Sequence, residues 1–553
     1  MGSMDENAPL AEAAPVGVAK IVCTLLEGRS VLSTVAHRQP VRVQPLPSAL
    51  SAAAGAACAV LSSLGGGLLG GDVVEVDVDV GAGATLWFGS QSSNKIYRKK
   101  RRRGPTRVDA RYRVAGGGLL VVAPDPTVPY ARSRYRGTTR LALDEDARAV
   151  VVEWLGSGRA AAGERWAFDE FAAEVAVFRG EECICVDAVS LGGGDDGGAD
   201  VGGVPRDHVA TLYCRGCPDV AARVAATSLA LTVARGARAR RGGAEDDAAN
   251  RVVASLGGDA LLGSSDAGGG VVVARVAAAR AEDVYRILAA VLAPLEADLG
   301  FRPYADRVAA TKSRGGVDDA AHPPPPPPPP PPEESAPVPE ATASTTRLAF
   351  QLADATLPTG GFAHSGGLEA AFQLGVVRKG DDAAVAAFAL AVRSTTATLH
   401  APFLAAAHAA GGDGAALDAL SARLDALLRS NAPARDASRR LGTALRRLSA
   451  ELVGLSGPPR HAAVAFGALA AAAGVEVGVA LLAFEHAQVR DVFSAAVRLG
   501  LVGPLKAAKL QFDVAKRPPA RRRPAVADAA NAAPMLDAIH CCHAQLDMRL
   551  FQT

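Results

Sequence analysis

Two cysteines three positions apart are the first side chains in this sequence that suggest chemistry. Cys214 and Cys217, in the segment Cys-Arg-Gly-Cys, have the spacing of redox dithiols and of half a zinc site. A zinc site needs a second pair of ligands, and none stands at a suitable distance. The pair also does not open a helix of a βαβ unit, as a thioredoxin-like motif would. Transient binding of a soft metal stays open as an interpretation.

A second candidate cluster lies close to position 540. His540 and His543 are three residues apart, with Cys541 and Cys542 between them. On a helix this spacing places both imidazoles on one face, where they would form a weak Ni²⁺ or Zn²⁺ site. The same pattern fits a packed helix end, and the sequence leaves both interpretations open.

An adjacent His-Ser pair raises the possibility of a hydrolase. His364 and Ser365 follow Pro358-Thr-Gly-Gly-Phe-Ala, and Asp354 and Glu369 flank the segment. A helix start is the simpler interpretation, in which Ser365 accepts N–H bonds as N-cap and Glu369 complements the helix dipole. The sequence contains no nucleophile elbow and no HExxH motif.

A glycine-rich segment resembles a phosphate-binding loop only at first sight. The run Gly65–Asp72 leads into a predicted strand, whereas a nucleotide loop leads into a helix. The chain contains no GxxxxGK[ST] motif. We therefore predict a tight turn here, and a protein that does not hydrolyse nucleotides by itself.

Two basic runs suggest a nuclear or nucleic-acid-binding protein as a further alternative. They are RKKRRR at 98–103 and RPPARRRPA at 517–525. No aromatic residues interleave with the first run, and 59 Lys and Arg against 57 Asp and Glu leave a net charge of +2. Such a balance gives no global field for nucleic acid. We interpret the first run as a solvated loop and expect no nucleic-acid partner.

The elements that must position these groups fall into two parts. A chain of 553 residues exceeds the roughly 250–300 residues at which single cores stop growing. The ten prolines Pro323–Pro332 are predicted to form an extended spacer whose ends would lie roughly 30 Å apart. We predict a disordered N-terminus at 1–16, a first domain at 17–312, a linker at 313–345 and a second domain at 346–553.

Periodicity assigns each part its fold class. The segment DVVEVDVDV at 72–80 alternates apolar and acidic residues, which is typical of a strand with one buried face. Helical spacing before the linker occurs only at 220–236 and 281–299, so the first domain is predicted to be mostly β with flanking helices. The second domain is predicted to be all α. Further strands are predicted at 107–114, 118–123, 139–143, 149–155, 183–189 and 208–214, and helices after the linker at 366–374, 382–410, 415–429, 434–453, 461–473, 475–500 and 534–550.

Compartment signals point to the cytoplasm. The 8 cysteines are scattered along the chain, which indicates reduced thiols rather than a disulfide framework. The N-terminus lacks the basic and apolar regions of a signal peptide, and glycine or charge interrupts every apolar stretch before about 18 residues. We therefore expect a cytoplasmic protein that does not enter membranes.

The second half resembles urease accessory protein F. The run Phe350–Ala371 is similar to that family's opening signature, and Gly442, Phe466-Gly467, Ala495–Gly500, Pro534 and Asp537 match later positions. The resemblance covers about 346–553. The partner-binding residues that it implies are Pro358, Gly360, Gly361, His364, Glu369, Arg435, Ser438, His543, Arg549, Leu550 and Phe551.

The first half resembles urease accessory protein D, which is called H in some bacteria. The matching segments are Gly65–Asp72, Gln91–Tyr97, Pro124–Tyr130 and Gly158–Trp166. The similarity is strong from about 17 to 190 and weaker to 312. It implies a stacked-strand, β-helix-like domain with a few helices. The structural motif residues that it implies are Gly70, Gly71, Asp72, Pro126, Arg159 and Glu164.

The two resemblances together imply a natural fusion that acts as a non-catalytic urease maturation factor. Such a chaperone would dock a nickel-carrying GTPase, accessory protein G, onto apo-urease for nickel insertion. Ni²⁺ would be in transit, no cofactor would be tightly bound, and GTP would sit on the partner only. Self-association through the F-like domain is expected, because that family dimerises. The tail at 544–553 is expected to order against the D-like domain through Phe551.

Overall fold

A computed structural model describes residues 16–47, 54–98, 104–192, 206–235, 247–256, 260–313, 343–517, 524–546 and 548–553. Several predicted segments lie outside these residues. They are the N-terminus up to residue 15, the basic run apart from Arg98, most of the linker, and residues 518–523 of the second basic run.

The described part of the N-terminal half forms two sheets. The first sheet has the strand order β15-β14-β12-β9-β6-β1-β2, and the second has the order β17-β18-β16-β13-β10-β7-β4-β3, with β5, β8 and β11 attached beside it. The strands are β1 (Val16–Leu26), β2 (Arg29–Arg38), β3 (Val41–Pro45), β4 (Ala57–Ser63), β5 (Gly67–Leu68), β6 (Val73–Val80), β7 (Thr85–Ser90), β8 (Asn94–Ile96), β9 (Thr106–Val114), β10 (Leu119–Ala123), β11 (Thr127–Pro129), β12 (Arg134–Leu143), β13 (Arg148–Gly156), β14 (Glu170–Arg179), β15 (Glu182–Gly192), β16 (His208–Arg215), β17 (Leu261–Gly268) and β18 (Val271–Ala278).

The chain builds these sheets by crossing repeatedly from one to the other. Consecutive strands from β6 to β14 mostly alternate between the sheets, so neighbours within each sheet pair in parallel, as β6 does with β9 and β7 with β10. The alternating valines of β6 point inward and are buried, while its acidic residues point outward. The predicted stacked-strand fold is confirmed.

Helices flank the second sheet at the two predicted segments, 220–236 and 281–299, and the described residues contain two further helices, α2 and α5, that the sequence analysis did not predict. Strands β10, β13 and β16 are apolar on both faces, because one face meets the first sheet and the other meets helices. The helices are α1 (Pro218–Arg235), α2 (Asp247–Ser255), α3 (Ala281–Val291), α4 (Glu296–Leu299) and α5 (Ala305–Ser313).

The described part of the C-terminal half is all α, as predicted. Its central pair, α9 and α12, packs closely because Gly467 lies against the Leu404 carbonyl, where a Cβ would come within 2.3 Å. The helices are α6 (Ala343–Ala353), α7 (Leu368–Gln373), α8 (Asp382–Thr395), α9 (Ala401–Ala410), α10 (Gly414–Leu428), α11 (Ala432–Val453), α12 (Ala462–Ala472), α13 (Val477–Arg498), α14 (Pro504–Lys516) and α15 (Pro534–Cys541).

One predicted helix is too long. The sequence predicts a helix over 534–550, but α15 ends at Cys541, a short 3₁₀ turn continues to Gln545, and residues 548–553 are irregular. The physical reason is that backbone N–H groups of this tail bond to a buried carboxylate described below. Within the part of the chain that the structure describes, no helix combines the length and apolar character needed to cross a membrane.

The two halves share one apolar core. A single cluster of buried side chains contains Leu261 and Ala277 of the second sheet together with Ile539 and Cys542 at the end of α15. Helix α15 packs on β17 and β18, and α10 packs on β15. The junction between the halves is therefore a packed interior.

Candidate functional site

A buried ion pair lies at the centre of the junction. Arg275 of β18 donates to both carboxylate oxygens of Asp187 on β15, at 2.7 and 3.1 Å, and the two side chains are only 1% and 4% exposed. Tyr213 of β16 donates its hydroxyl to the same carboxylate at 2.5 Å. Because a buried charge needs partners, these three groups hold one another in place.

The helical half completes this network. Arg275 also donates to the Ser430 hydroxyl at 3.0 Å and lies 3.4 Å from the Asp537 carboxylate on α15. Asn431 and Asn531 each donate to Asp537, at 2.8 and 2.6 Å. Burial raises the pKa of Asp537, and Arg275 opposes that rise. One guanidinium thus joins both halves of the chain.

Backbone contacts fix the register between the halves. The Asn531 amide donates to the Ala188 carbonyl at 2.8 Å, and the Ser190 amide donates to the Asn531 carbonyl at 2.9 Å, so Asn531 extends the edge of β15 as a parallel bridge. Gly263 on β17 faces Ala538 on α15, where any Cβ would come within 2.2 Å of the Ala538 carbonyl oxygen. Only glycine fits at this approach.

Helix α1 contributes a further polar contact. Ser228 and Thr232 bond the Gln545 side chain at 2.8 and 3.1 Å. Beside them, the Cys542 thiol donates to the Leu262 carbonyl at 3.4 Å. The 3₁₀ turn that follows α15 is therefore held by the β-rich half.

Glu369 organises the rest of the tail. Its carboxylate accepts hydrogen bonds from the backbone amides of Leu550 at 2.6 Å and Phe551 at 3.0 Å, and from His543 at 3.1 Å. Glu369 is 1% exposed, so these donors replace water around the carboxylate. Glu369 lies in the first turn of α7, as expected for a partner of the helix dipole, and its carboxylate in addition binds the tail.

Phe551 is an anchor, but within the helical half. It is 4% exposed, and Arg498 lies between its ring and that of Phe362, at 4.2 and 3.6 Å from the two centroids. Arg549 and Leu550 are exposed. The expectation that 544–553 orders against the D-like domain holds for Gln545. It is wrong for Phe551, because the backbone amides of residues 550 and 551 bond to Glu369, which lies in the opening signature of the F-like half.

His364 and Ser365 bind the tail as well. The Ser365 hydroxyl donates to the Thr553 carbonyl at 2.8 Å, and His364 Nδ1 lies 2.7 Å from the Thr553 hydroxyl. Helix α7 begins at Leu368 after Gly367 with φ 91°, so Ser365 is not its N-cap, although it accepts from the Glu369 amide at 3.2 Å. Both side chains are engaged with the tail rather than with each other.

Burial lowers the pKa of each histidine in this region. Burial lowers the pKa of His364 to about 4 and that of His540 to about 3, and neighbouring His543 adds to both shifts. Burial also lowers the pKa of His543, although Glu369 opposes the shift. Of these three imidazoles, His364 contacts Thr553 of the tail and His543 contacts Glu369.

Pro358, Gly360 and Gly361 form the loop that precedes these residues. Gly360 has φ 81°, which favours glycine, and a Cβ on Gly361 would lie 2.6 Å from an Asp491 carboxylate oxygen. The loop therefore packs against α13.

Arg435 and Ser438 stabilise the turn between α10 and α11. Arg435 donates to both oxygens of Asp425, at 2.7 and 2.9 Å, and His461 bonds the same carboxylate at 3.0 Å. The Ser438 hydroxyl accepts from the Ala462 amide at 3.2 Å. Arg435 thus holds α11 to α10, and Ser438 holds α11 to the start of α12.

The D-like motif residues shape loops at the end of the sheets. The Asp72 carboxylate accepts from the Leu69 amide at 2.8 Å, which closes the predicted turn around Gly70 and Gly71 before β6. The Pro126 carbonyl accepts from the Asn94 amide at 2.9 Å, and Arg159 pairs with Glu164. These contacts are structural.

The candidate metal ligands do not form a multidentate site. Among the described residues, no group of three or more His, Cys, Asp or Glu is placed to hold a metal ion. Cys217 directly precedes α1, so the pair does lie at the start of a helix. The sheet at this point is antiparallel, so the βαβ context is absent as expected.

Three cavities adjoin one another along the chain's interior. The first, of about 490 Å³, lies between the two sheets and is lined by Glu153, to which Thr139 donates at 2.9 Å. A second, of about 50 Å³, shares Glu153 and Tyr135 with the first and reaches Asp187. Asp187 also lines the third, of about 170 Å³, which extends to His364. Burial raises the pKa of Glu153.

Sequence reasoning missed Asp187, Arg275, Glu153, Gly263 and Asn531. A signal exists for Arg275 and Glu153, since each is a charged residue inside an otherwise apolar strand that is buried on both faces. Asp187, inside the apolar run Cys185–Val189 of β15, carries a similar signal, whereas Gly263 and Asn531 carry none, because their role depends on the opposite half of the chain.

Family models match both halves. The model of the UreD urease accessory protein matches residues 16–310, and the UreF model matches 380–515. The UreD of Sorangium cellulosum (strain So ce56) is 40% identical over 182 residues, which are 32% of this chain and 55% of that protein. Urease accessory protein F of Oryza sativa subsp. japonica is 35% identical over 222 residues, 37% of this chain and 84% of that protein.

A plant relative of the first half gives a similar result. Urease accessory protein D of Arabidopsis thaliana is 32% identical over 152 residues, 27% of this chain and 51% of that protein. The chain thus spans about half the length of these D-type relatives, but most of the F-type relative. Since the first model spans more than half of this chain, the protein belongs to the UreD family of urease accessory proteins and continues into a UreF domain.

Proposed function

We propose that this chain is a non-catalytic maturation factor that docks a nickel-carrying GTPase onto apo-urease and conducts nickel toward the urease active site. Membership of two urease accessory families supports the maturation role. Nickel is cargo in this proposal, and the chain holds it only in passage.

The series of adjoining cavities is the observation that carries the proposal. The cavity between the two sheets and the next cavity share Glu153, and that second cavity shares Asp187 with the cavity that reaches His364 in the helical half. Carboxylate and imidazole groups bind Ni²⁺, and single donors spaced along a passage bind it weakly enough to release it. A three-ligand site would instead retain the ion.

The GTPase is a separate chain in this proposal. The sequence contains no GxxxxGK[ST] motif, so GTP binding is assigned to the partner. The fusion keeps the D-like and F-like halves at high effective concentration, so that the docking surface for the partner is always assembled.

Self-association through the helical half is part of the same proposal. Exposed apolar side chains on adjacent helices support it: Leu482 of α13 is 62% exposed, and Leu505 and Phe512 of α14 are 88% and 61% exposed. Sedimentation of the full chain tests this, and a monomer at micromolar concentration would contradict it.

Co-expression tests the maturation role. We expect urease made with the partner GTPase and this chain to contain nickel and to be active, and urease made without this chain to lack both. Equal nickel content with and without the chain would refute the proposed function.

Glu153→Gln tests the path. The amide keeps the bond from Thr139 but replaces one carboxylate oxygen, a ligand for Ni²⁺, with an NH₂ group that does not bind metal, so we expect a correctly folded chain that loads urease with less nickel. Glu145→Gln is the control, because Glu145 is 80% exposed. Normal nickel loading by Glu153→Gln would exclude this cavity as the route while leaving the maturation role intact.

A further inference from the structure

The turn between β16 and α1 brings two thiols together. Cys214 lies near the end of β16 and Cys217 immediately precedes α1, with Gly216 at φ 70° between them. The Cys214 thiol donates to the Cys217 carbonyl at 3.6 Å, and the Cys214 side chain also lies close enough to the Cys217 thiol to interact with it. Both cysteines are free. The fold therefore presents a preassembled dithiol.

The surroundings favour a thiolate at Cys217. The hydrogen bond from Cys214 lowers the pKa of Cys217, Arg148 adds to the effect, and burial opposes it. Arg148 is itself held by Asp298 at 2.7 Å. The position of Cys217 before an 18-residue helix supplies a further positive potential from the helix N-terminus.

Other cysteines of the chain lack this environment. Burial raises the pKa of Cys23, Cys185 and Cys542 to about 12. Burial also raises the pKa of Cys183, which is more exposed than Cys217. The more exposed thiol, Cys183, is thus not the one whose pKa is lowered. Comparing the oxidation rates of Cys183 and Cys217 therefore distinguishes the effect of exposure from the effect of thiolate formation.

A metal is the weaker interpretation of the pair. No third His, Cys, Asp or Glu joins it among the described residues, and the Arg148 guanidinium beside Cys217 repels a cation. A cation next to a thiol pair instead stabilises the anionic nucleophile that thiol oxidation requires.

We propose that Cys214 and Cys217 form a redox-active dithiol that hydrogen peroxide converts to an intramolecular disulfide. The Cys217 thiolate attacks one peroxide oxygen, the O–O bond breaks, and the departing oxygen takes up a proton, which leaves a sulfenic acid on Cys217. The Cys214 sulfur then attacks the Cys217 sulfur, the S–O bond breaks, and water leaves with the Cys214 proton. Two thiols and one peroxide thus give one disulfide and two waters.

Accessibility assigns the order of the two steps. Cys217 is 7% exposed and Cys214 is 1% exposed, so a small peroxide reaches Cys217 first. The pair also lies at one end of the helix whose Ser228 and Thr232 bond Gln545 of the helical half. A change in the thiol state therefore affects α1, a helix that contacts the junction. This inference does not depend on the proposed nickel transfer.

The test uses the folded full-length chain treated with hydrogen peroxide and then with an alkylating agent. We expect peptide mapping to find a Cys214–Cys217 disulfide that dithiothreitol reverses, formed at least about tenfold faster than Cys183 is oxidised. Cys214→Ser should stop at a sulfenic acid that dimedone traps on Cys217, and Cys183→Ser should behave as wild type.

Two results would overturn the proposal. One is a pair that stays fully alkylatable as thiols while Cys183 is oxidised. The other is a disulfide that forms only after denaturation, as judged by circular dichroism on the same sample. Because the main measurement is made on the wild-type chain, a variant that fails to fold does not affect it.

Discussion

Gly263 on β17 lies so close to Ala538 on α15 that a Cβ atom on the glycine would come within 2.2 Å of the alanine carbonyl oxygen. Since backbone rather than a flexible side chain occupies this space, the contact cannot be relieved by a rotamer change. The docking of the two halves is therefore sensitive to a single methyl group.

Replacing Gly263 with alanine should separate the halves. Overpacking of this kind costs about 1–3 kcal/mol, which would weaken docking roughly 5- to 150-fold. A protease site inserted in the proline linker allows the folded chain to be cut and its halves followed by gel filtration. Gly104→Ala is the matched control, since nothing lies within 4 Å of its added Cβ. Co-elution of the cut Gly263→Ala halves at low concentration would contradict this prediction.

Removing one member of the buried pair should destabilise the whole protein. Arg275→Met leaves the Asp187 carboxylate buried without its main cation, and we expect a loss of about 3–5 kcal/mol in the free energy of unfolding. Urea unfolding measures this loss. The control is Arg113→Met, whose pair with Asp79 is half exposed and should cost less than about 1 kcal/mol. Equal effects of the two substitutions would refute the assigned role.

Much of the architecture follows from local pattern. The alternating residues of β6 and the continuous apolar strands β10 and β13 are recognisable from the sequence alone, because each pattern reflects which faces of a strand are buried. Helix α1 is recognisable because its apolar residues recur at the spacing of a helix. The strand-rich first half and helical second half are confirmed.

The junction could not be predicted in the same way. Asp187 and Asp537 are separated by hundreds of residues and meet only because β15 and α15 converge on Arg275. The tail failed as a helix because Glu369, far upstream, supplies a better partner for its amides than a helical turn does. The spacing of residues along the sequence does not show that a distant carboxylate will compete with the hydrogen bonds of a local helix.

Neutralising Glu369 should release the tail. Hydrogen bonds to a charged group contribute about 1.5–3 kcal/mol, so Glu369→Gln should speed amide exchange at Leu550 and Phe551 by roughly 10- to 100-fold. Hydrogen exchange with mass spectrometry measures this directly. Glu451→Gln, on the exposed side of α11, should leave exchange in the tail unchanged. Unaltered protection in Glu369→Gln would show that Phe551 alone holds the tail.

Acid should loosen the same region. The folded pKa of His364, about 4, lies below its ordinary value of 6.5, so the unfolded chain binds this proton first as the pH falls. The stabilisation is complete above about pH 6.5 and is lost as the pH falls toward 4, by an amount on the order of 3 kcal/mol.

His364→Gln isolates this effect. Asp537, whose pKa is raised by burial, shifts stability in the opposite direction with pH and is common to both proteins. We therefore expect the difference between urea unfolding at pH 7.5 and at pH 5 to be smaller in His364→Gln than in the wild type. The same pH dependence in both would remove His364 from the explanation.

The apolar core that crosses the junction has a consequence for supply in the cell. If the halves were made as separate polypeptides, each surplus copy would leave the surfaces around Ile539 and Leu261 open to water, where they promote aggregation. A fused chain is translated in a fixed ratio of one to one. Every copy of the β-rich half is then synthesised together with the helical half that covers its apolar surface. The cell therefore does not need to match the expression levels of two separate proteins.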